Sequence, residues 1–437
     1  MGTVGAVGAE EAFAPAPRSA LSNRSSTFPM PTVLVIGTLD TKGPEIAYVR
    51  DRIRALGVDV IVADSGILGG PLDIVPDVTR EEVAILAGTT IDALRNAGSR
   101  GKAVHGMLAG LRALALKLFK EGRLQGAVAL GGAEGAVLGA SAMMGLPIGV
   151  PKVIVTPIAS GHRRFGPLVG TKDVMVVHSV IDILGLNPIS CAVFDNVAAA
   201  MAGMALHHRP MASTRGQKRV AITMLGNTTK AVMVIRDRLL EHGIESVIFH
   251  SNGVGGPAME ELAADGLFTG VIDFTTDELT DELVGGFHNA GPNRLRVIGR
   301  LGLPQVVVPG CIDFSVHGRP EAVPAALAGR PIYTHNPEFT LVRTAPDEMV
   351  TLGRIFADRL NDATGPIAIM VPTEGLSIPS VPGGAFWNPD ADAGFLRELR
   401  EHLRSDIPIA THPSHVNSPE FAAAVADRFL ALTGIVP

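Results

Sequence analysis

Only two cysteines, Cys191 and Cys311, occur in the 437 residues, and they lie far apart. Neither a disulfide framework nor a thiolate metal site can be built from them, so both are expected as buried thiols in a reducing compartment. Aromatic residues make up 4% of the chain, and Val, Ile, Leu and Ala supply nearly all of its 46% hydrophobic content. That composition suits parallel α/β layers better than a β-sandwich. An excess of one charge sign is also missing. The 37 basic and 43 acidic residues are interspersed, the net charge is −6, and no footprint for nucleic acid is left. No apolar run approaches the roughly 20 residues a membrane span needs. A cytoplasmic protein with neither a nucleic-acid nor a membrane partner is expected.

What is present is a repeated pattern of apolar runs, glycine loops and amphipathic helices. The length predicts two domains of roughly 150 to 200 residues each. Residues 1–30 are rich in Ala, Gly, Pro and Ser, lack the basic and apolar regions of a secretory signal, and read as a disordered arm. Next, the run Val33 to Ile36 stops at Gly37, as a strand buried on both faces does. Ile46, Val49, Ile53 and Leu56 then recur at helical spacing before Gly57 and a second strand. This unit places Thr38, Asp40, Thr41 and Lys42 between a strand end and a helix start, where free N–H groups and the helix dipole attract anions. Asp64 ends the second strand, and Thr79 to Glu82 form a capping box. A strand over residues 126–130 ends in Gly131-Gly132-Ala133-Glu134-Gly135-Ala136, and another ends near Ser160-Gly161. Small residues at such turns let a ligand approach the backbone, although glycine pairs also serve plain turn geometry.

The pattern restarts at residue 218. Aligning Arg236-Asp237-Arg238 on Arg50-Asp51-Arg52 brings His250-Ser251 and Gly255-Gly256 onto Asp64-Ser65 and Gly69-Gly70 without a gap. The expectation is therefore two doubly wound, Rossmann-like α/β domains with mainly parallel sheets, over residues 31–207 and 219–437. They are related by internal duplication, joined by a linker over 208–218, and face each other across a cleft. In the second copy, His250, Asp313, His317, Glu374 and His415 follow strands and are candidates for acid–base or metal chemistry. His412 and His415 read equally well as turn residues, and no tight metal-ligand spacing is present.

Several of these motifs, in this order, resemble the Tm-one-like ATP-binding domain family. They are Gly37-Thr38-Leu39-Asp40-Thr41-Lys42-Gly43, the stretch Pro76 to Glu82, Leu146 to Lys152, Ala159-Ser160-Gly161, Gly185-Leu186-Asn187, His335-Asn336-Pro337 and His415-Val416-Asn417. The family includes uncharacterised bacterial proteins and the amino-terminal half of a plant tobamovirus-resistance protein. The resemblance implies ATP, with Mg²⁺, at Gly37, Thr38, Asp40, Thr41, Lys42, Asp64, the Gly131 to Gly135 loop, and Ser160 and Gly161. Relatives usually carry Gly-Gly-Ser-Gly-Gly-Thr where this chain has Ala133, Glu134 and Ala136, and a basic residue where it has Glu374. Glu134 beside a phosphate would repel it unless a metal or lysine intervened.

Two other readings stay open on the same residues. One is a metabolic enzyme acting on a small carboxylated or phosphorylated substrate in the cleft. Glu134 and Glu374 would serve there as an acid–base pair or share a divalent metal. The other is a non-catalytic regulatory module. A mean hydropathy of +0.30 favours a homo-oligomer that buries apolar surface.

Overall fold

The computed structural model describes residues 30–159, 168–209 and 217–434. Their contacts divide them into two compact units, residues 30–159 with 174–209, and residues 168–173 with 217–434. All of the expected arm but Met30, most of the expected linker, and Ser160 and Gly161 lie outside the described residues.

The first unit runs β1 (Thr32–Gly37), α1 (Leu39–Ala55), β2 (Asp59–Asp64), α2 (Arg80–Leu86), α3 (Ile91–Arg95), α4 (Arg100–Lys120), β3 (Gly126–Leu130), α5 (Ala133–Met144), β4 (Lys152–Thr156), β5 (Met175–His178) and α6 (Pro188–His207). Its five strands are parallel, in the order β2-β1-β3-β4-β5. Alternate residues of a strand face opposite sides of the sheet. Val33 and Val35 accordingly join α1 and α6 in one core, through Ile46, Val49, Ile53, Phe194, Val197 and Met201. Leu34 and Ile36, equally buried, face the other layer, where α5 packs on β1, β3 and β4. Leu56, expected on the apolar face of α1, instead caps the helix and is exposed.

Helix α6 corrects the expectation about apolar length. It has 20 residues and, among the described residues, is the one helix long and apolar enough to cross a membrane by length and composition. Phe194, Val197, Ala198, Met201 and Ala202 place it in the core of the first unit. Its apolarity is that of a helix laid on a sheet.

The second unit runs β6 (Arg219–Met224), α7 (Thr229–Glu241), β7 (Glu245–His250), α8 (Gly255–Ala264), β8 (Gly270–Thr275), α9 (Asp277–Val284), α10 (Val297–Arg300), β9 (Gln305–Gly310), β10 (Phe314–His317), β11 (Ile332–Asn336), β12 (Phe339–Arg343), α11 (Pro346–Leu360), β13 (Ile367–Pro372), α12 (Pro389–His402), β14 (Ile409–His412) and α13 (Pro419–Leu432). Read from β7, its parallel sheet is ordered β7-β6-β8-β9-β13-β14, the winding of the first unit with one more strand. The shared strand order supports the duplication. Strands β10, β12 and β11 form a small antiparallel sheet that the sequence reading did not anticipate. Their four or five residues mix apolar and polar side chains and lack the continuous apolar run that marks the parallel strands.

The turn after β8 differs most between the copies. In place of glycines, Asp273 and Glu278 pair with Arg294, whose side chain is fully buried. Glu260 stands farther off, at 3.3 Å, and accepts a 2.6 Å bond from the Leu295 N–H. Three carboxylates around one guanidinium leave excess negative charge in a dry interior, so a proton is retained. Burial pushes the Glu260 carboxyl up to about 7 against the pull of Arg294. Burial likewise takes Asp281 up to about 8 and Asp392 up to about 7.

Groups whose folded values are raised contribute stability that is complete below their ordinary range and is lost as pH rises through the folded value. Urea unfolding of the second unit should therefore show a midpoint that falls between about pH 5 and pH 8. Glu260→Gln, which mimics the protonated form, should flatten that fall, and an unaltered slope in the variant would contradict the assignment.

Candidate functional site

Strand β1 delivers the chain at Gly37 into a short first turn of α1. Lys42, with φ −127° and ψ 18°, breaks the helix geometry just before Gly43 and Pro44. Pro44 has no N–H to continue the ladder, which accounts for the kink. Gly43 is required for space, because a Cβ there would lie 1.7 Å from the Leu72 carbonyl oxygen. The loop that follows β2 is thereby held close under the start of α1, and the Leu72 N–H donates to the Leu39 carbonyl at 2.9 Å.

Asp64, at the end of β2, organises this loop. Its Oδ1 accepts from the Leu39 N–H at 3.2 Å and from the Gly66 N–H at 2.8 Å. Its Oδ2 accepts from Arg80 Nε at 2.8 Å. Arg80 is the first residue of α2, the helix capped by the Thr79–Glu82 box, and also donates to the Gly69 carbonyl. Both members of the ion pair are buried. Asp40 adds a second tie, accepting from the Gly69 N–H through Oδ2 at 3.1 Å.

These ties shape a cavity of about 780 Å³ whose lining includes Thr38, Asp40, Thr41 and Lys42 from one loop and Gly132, Ala133, Glu134 and Gly135 from the other. Two loops separated by some ninety positions in the chain are thus brought together. They meet because β1 and β3 are neighbouring parallel strands with their carboxyl ends at the same edge. Gly37, Asp64 and Gly131 stand behind the lining. A Cβ at Gly131 would meet the Gly135 Cα at 2.6 Å, so that glycine allows the turn into α5.

The remaining wall is Gly66, Ile67 and Leu68 from the loop after β2, and Leu94, Arg95, Gly98, Ser99 and Ala103, which were not foreseen from the sequence. Arg95 Nε donates to the Ile67 carbonyl at 2.8 Å, which makes this residue a brace as well as a second cation. Ser99 caps α4 by accepting from the Lys102 N–H. A cap residue before a long apolar helix was the available signal.

The candidates of the second unit do not converge in the same way. His250, at the end of β7, lines a separate cavity of about 330 Å³. Asp313 is buried; its Oδ2 accepts from Ser377 Oγ at 2.6 Å, and burial raises its carboxyl above the usual range. His317 is buried beside Ser315, 2.9 Å away, and edge-on to Phe287. Glu374 is exposed on the loop after β13. His415 has both ring nitrogens engaged, Nδ1 accepting from the Asn417 N–H and Nε2 donating to the Ser377 carbonyl. That is a turn-building role. Among the described residues, a grouping with metal-ligand geometry occurs at Glu398, Glu401 and His402, away from all of these candidates, and two of the three are exposed.

The fold and cavity define a doubly wound α/β protein with a ligand-sized pocket at the strand ends of its first unit. The chain belongs to the uncharacterised protein family UPF0261, whose N-terminal domain matches residues 31–210 and C-terminal domain residues 217–433. A UPF0261 protein of Clostridium tetani is 38% identical over 91% of this chain and 98% of its own length. The tomato ToMV resistance protein Tm-1(GCR237) is 32% identical over 92% of this chain but 56% of its own length. A solved structure of UDP-N-acetylglucosamine 2-epimerase is matched over 93% of this chain and 97% of its own, at 10% identity and a TM-score of 0.21.

Removing the Asp64 carboxylate would strand a buried guanidinium, a change that typically costs about 3–5 kcal/mol. Asp64→Ala is therefore expected to lower the unfolding free energy of the first unit by that order, as read by urea titration. A loss below about 1 kcal/mol would show that the loop is held by something else.

Proposed function

We propose that the protein binds an adenine nucleotide, as its Mg²⁺ complex, in the cavity of the first unit. The carrying observation is the convergence of the Thr38–Lys42 and Gly132–Gly135 loops on one cavity. Its volume falls within the roughly 300–1,000 Å³ range of small-molecule sites. Lys42 and Arg95 supply positive charge, and the starts of α1, α4 and α5 border the lining with N–H groups that favour an anion. At Gly132 a Cβ would meet nothing within 4 Å, so open space lies beside that backbone for a phosphate. The apolar side, Ile67, Leu68, Leu94 and Ala103, suits a flat base.

The residues fit the metal complex in a particular way. Asp40 spends Oδ2 on the Gly69 N–H, which leaves Oδ1 to hold a water of a hydrated Mg²⁺. Glu134, in the first turn of α5, favours the helix but opposes phosphate charge, so magnesium is needed more here than in a loop of glycine and serine.

Calorimetry with ATP and Mg²⁺ tests the proposal. Lys42→Ala should weaken binding by at least tenfold, about 1.4 kcal/mol, with the thermal unfolding midpoint little changed. Glu134→Gln should tighten binding, and most when Mg²⁺ is withheld. Absence of binding at millimolar ATP, or binding indifferent to Lys42, would remove the proposal.

A further inference from the structure

The second unit carries a cavity of its own, about 330 Å³, lined by Leu225, Gly226, Asn227, His250, Asn252, His288 and, from the antiparallel sheet, Val316, Asn336, Phe339 and Leu341. It opens at the carboxyl ends of β6 and β7, the edge where ligands bind in doubly wound sheets.

The polar groups of its wall share one property. Asn227 Oδ1 accepts from the Ile378 N–H at 3.3 Å. Asn252 Oδ1 accepts from the N–H groups of Val254 and Gly255, both at 3.2 Å. Asn336 Oδ1 accepts from those of Glu338 and Phe339, at 2.8 and 3.0 Å. A backbone N–H can bond only to an amide's oxygen, so these partners fix the orientation of all three side chains. Each amide oxygen is used by the protein's own backbone, and each NH₂ group is left as a donor.

His288 completes the set. Its Nδ1 is held 2.7 Å from Asp277 Oδ2, a carboxylate with no exposed surface, which leaves Nε2 as the ring atom for a ligand. Among the described residues, no Lys, Arg, Asp or Glu lines the cavity. The side chains of this wall offer three amide NH₂ groups and two imidazoles, a set that suits a ligand whose polar atoms accept hydrogen bonds.

We propose that this cavity binds a small organic carboxylate. The carboxylate oxygens sit among the amides of Asn227, Asn252 and Asn336 and the Nε2 of His288, and the carbon body lies against Leu225, Val316, Phe339 and Leu341. Two observations favour a carboxylate over a phosphate. Among the described residues the wall lacks the lysine or arginine that a dianion recruits, and the buried Asp277 and Asp281 stand directly behind His288.

The charged and titratable groups around His288 are Asp277, Asp281, Glu278 and His250. Burial alone would lower the His288 value, but the Asp277 hydrogen bond and the charges of Asp277, Asp281 and Glu278 raise it overall. His250 is shifted the other way, downward, by burial and then by His288. The cationic form of His288 therefore persists to higher pH than that of an ordinary histidine, and carboxylate affinity should fall as pH rises through its titration. The site is independent of the nucleotide cavity.

The test is NMR or calorimetry on the full chain with butyrate and 2-hydroxybutyrate as probes, and butanol, butylamine and inorganic phosphate as controls. The carboxylates should bind, and the alcohol, amine and phosphate at least tenfold more weakly. His288→Gln, which keeps a donor but loses the charge, should weaken binding at least fivefold. Asn227→Asp, which adds a like charge, should abolish it, with unfolding midpoints confirming that both variants fold. The proposal is overturned if neither carboxylate binds at about 20 mM, affinities at that level being no more than a few kcal/mol. It is also overturned if phosphate or the amine binds as well, or if both variants bind like the parent.

Discussion

The buried carboxylate of Asp64 is the joint on which the first unit's pocket depends. It ties three elements at once: the start of α1 through Leu39, the loop after β2 through Gly66, and the start of α2 through Arg80. A carboxylate removed from water is tolerated when its charge and lone pairs are met, and here two N–H donors and a guanidinium meet them. Because those donors come from separate segments, satisfying the charge also fixes the geometry of the loop. The lining residues Gly66, Ile67, Leu68 and Asp40 take their positions from this tie.

The second unit repeats the winding but treats the corresponding region in the opposite manner. The turn between β3 and α5 is kept open by glycines. The turn between β8 and α9 is flanked by Asp273 and Glu278, which pair with the buried Arg294, and by Asp277, which pairs with His288. A duplicated fold thus holds its first cavity at the glycine turn and its second beneath the antiparallel sheet.

Much of this was legible in the sequence, for identifiable reasons. Long apolar runs ending in glycine, such as the one ending at Gly37, mark buried parallel strands, and the capping box at Thr79 marked a helix start that the structure contains. The two loops of the larger cavity could be singled out because polar and small residues cluster there. Arg80 and Arg95 could not, because an arginine on a short helix looks the same in sequence whether it is solvated or braces a loop. The turn role of His415 was one of the readings its sequence offered, but that of His288 was hidden for a related reason. A histidine acquires its chemistry from whatever holds each ring nitrogen: Asn417 is a local neighbour of His415, whereas Asp277, eleven positions from His288, meets it only in the folded core. Strands β10, β11 and β12 escaped because their residues mix apolar and polar side chains, without the continuous apolar run that marked β1 and β3.

The central claim is that the apolar wall of the first unit receives the base of a nucleotide while the glycine and lysine loops receive its phosphates. Photo-crosslinking with 8-azido-ATP, followed by mass spectrometry of the labelled peptides, addresses that claim most directly. Label on peptides containing Ile67 and Leu68, or Leu94 to Ala103, that unlabelled ATP competes away is the predicted result. Competable label confined to the second unit, or label that ATP does not displace, would contradict it.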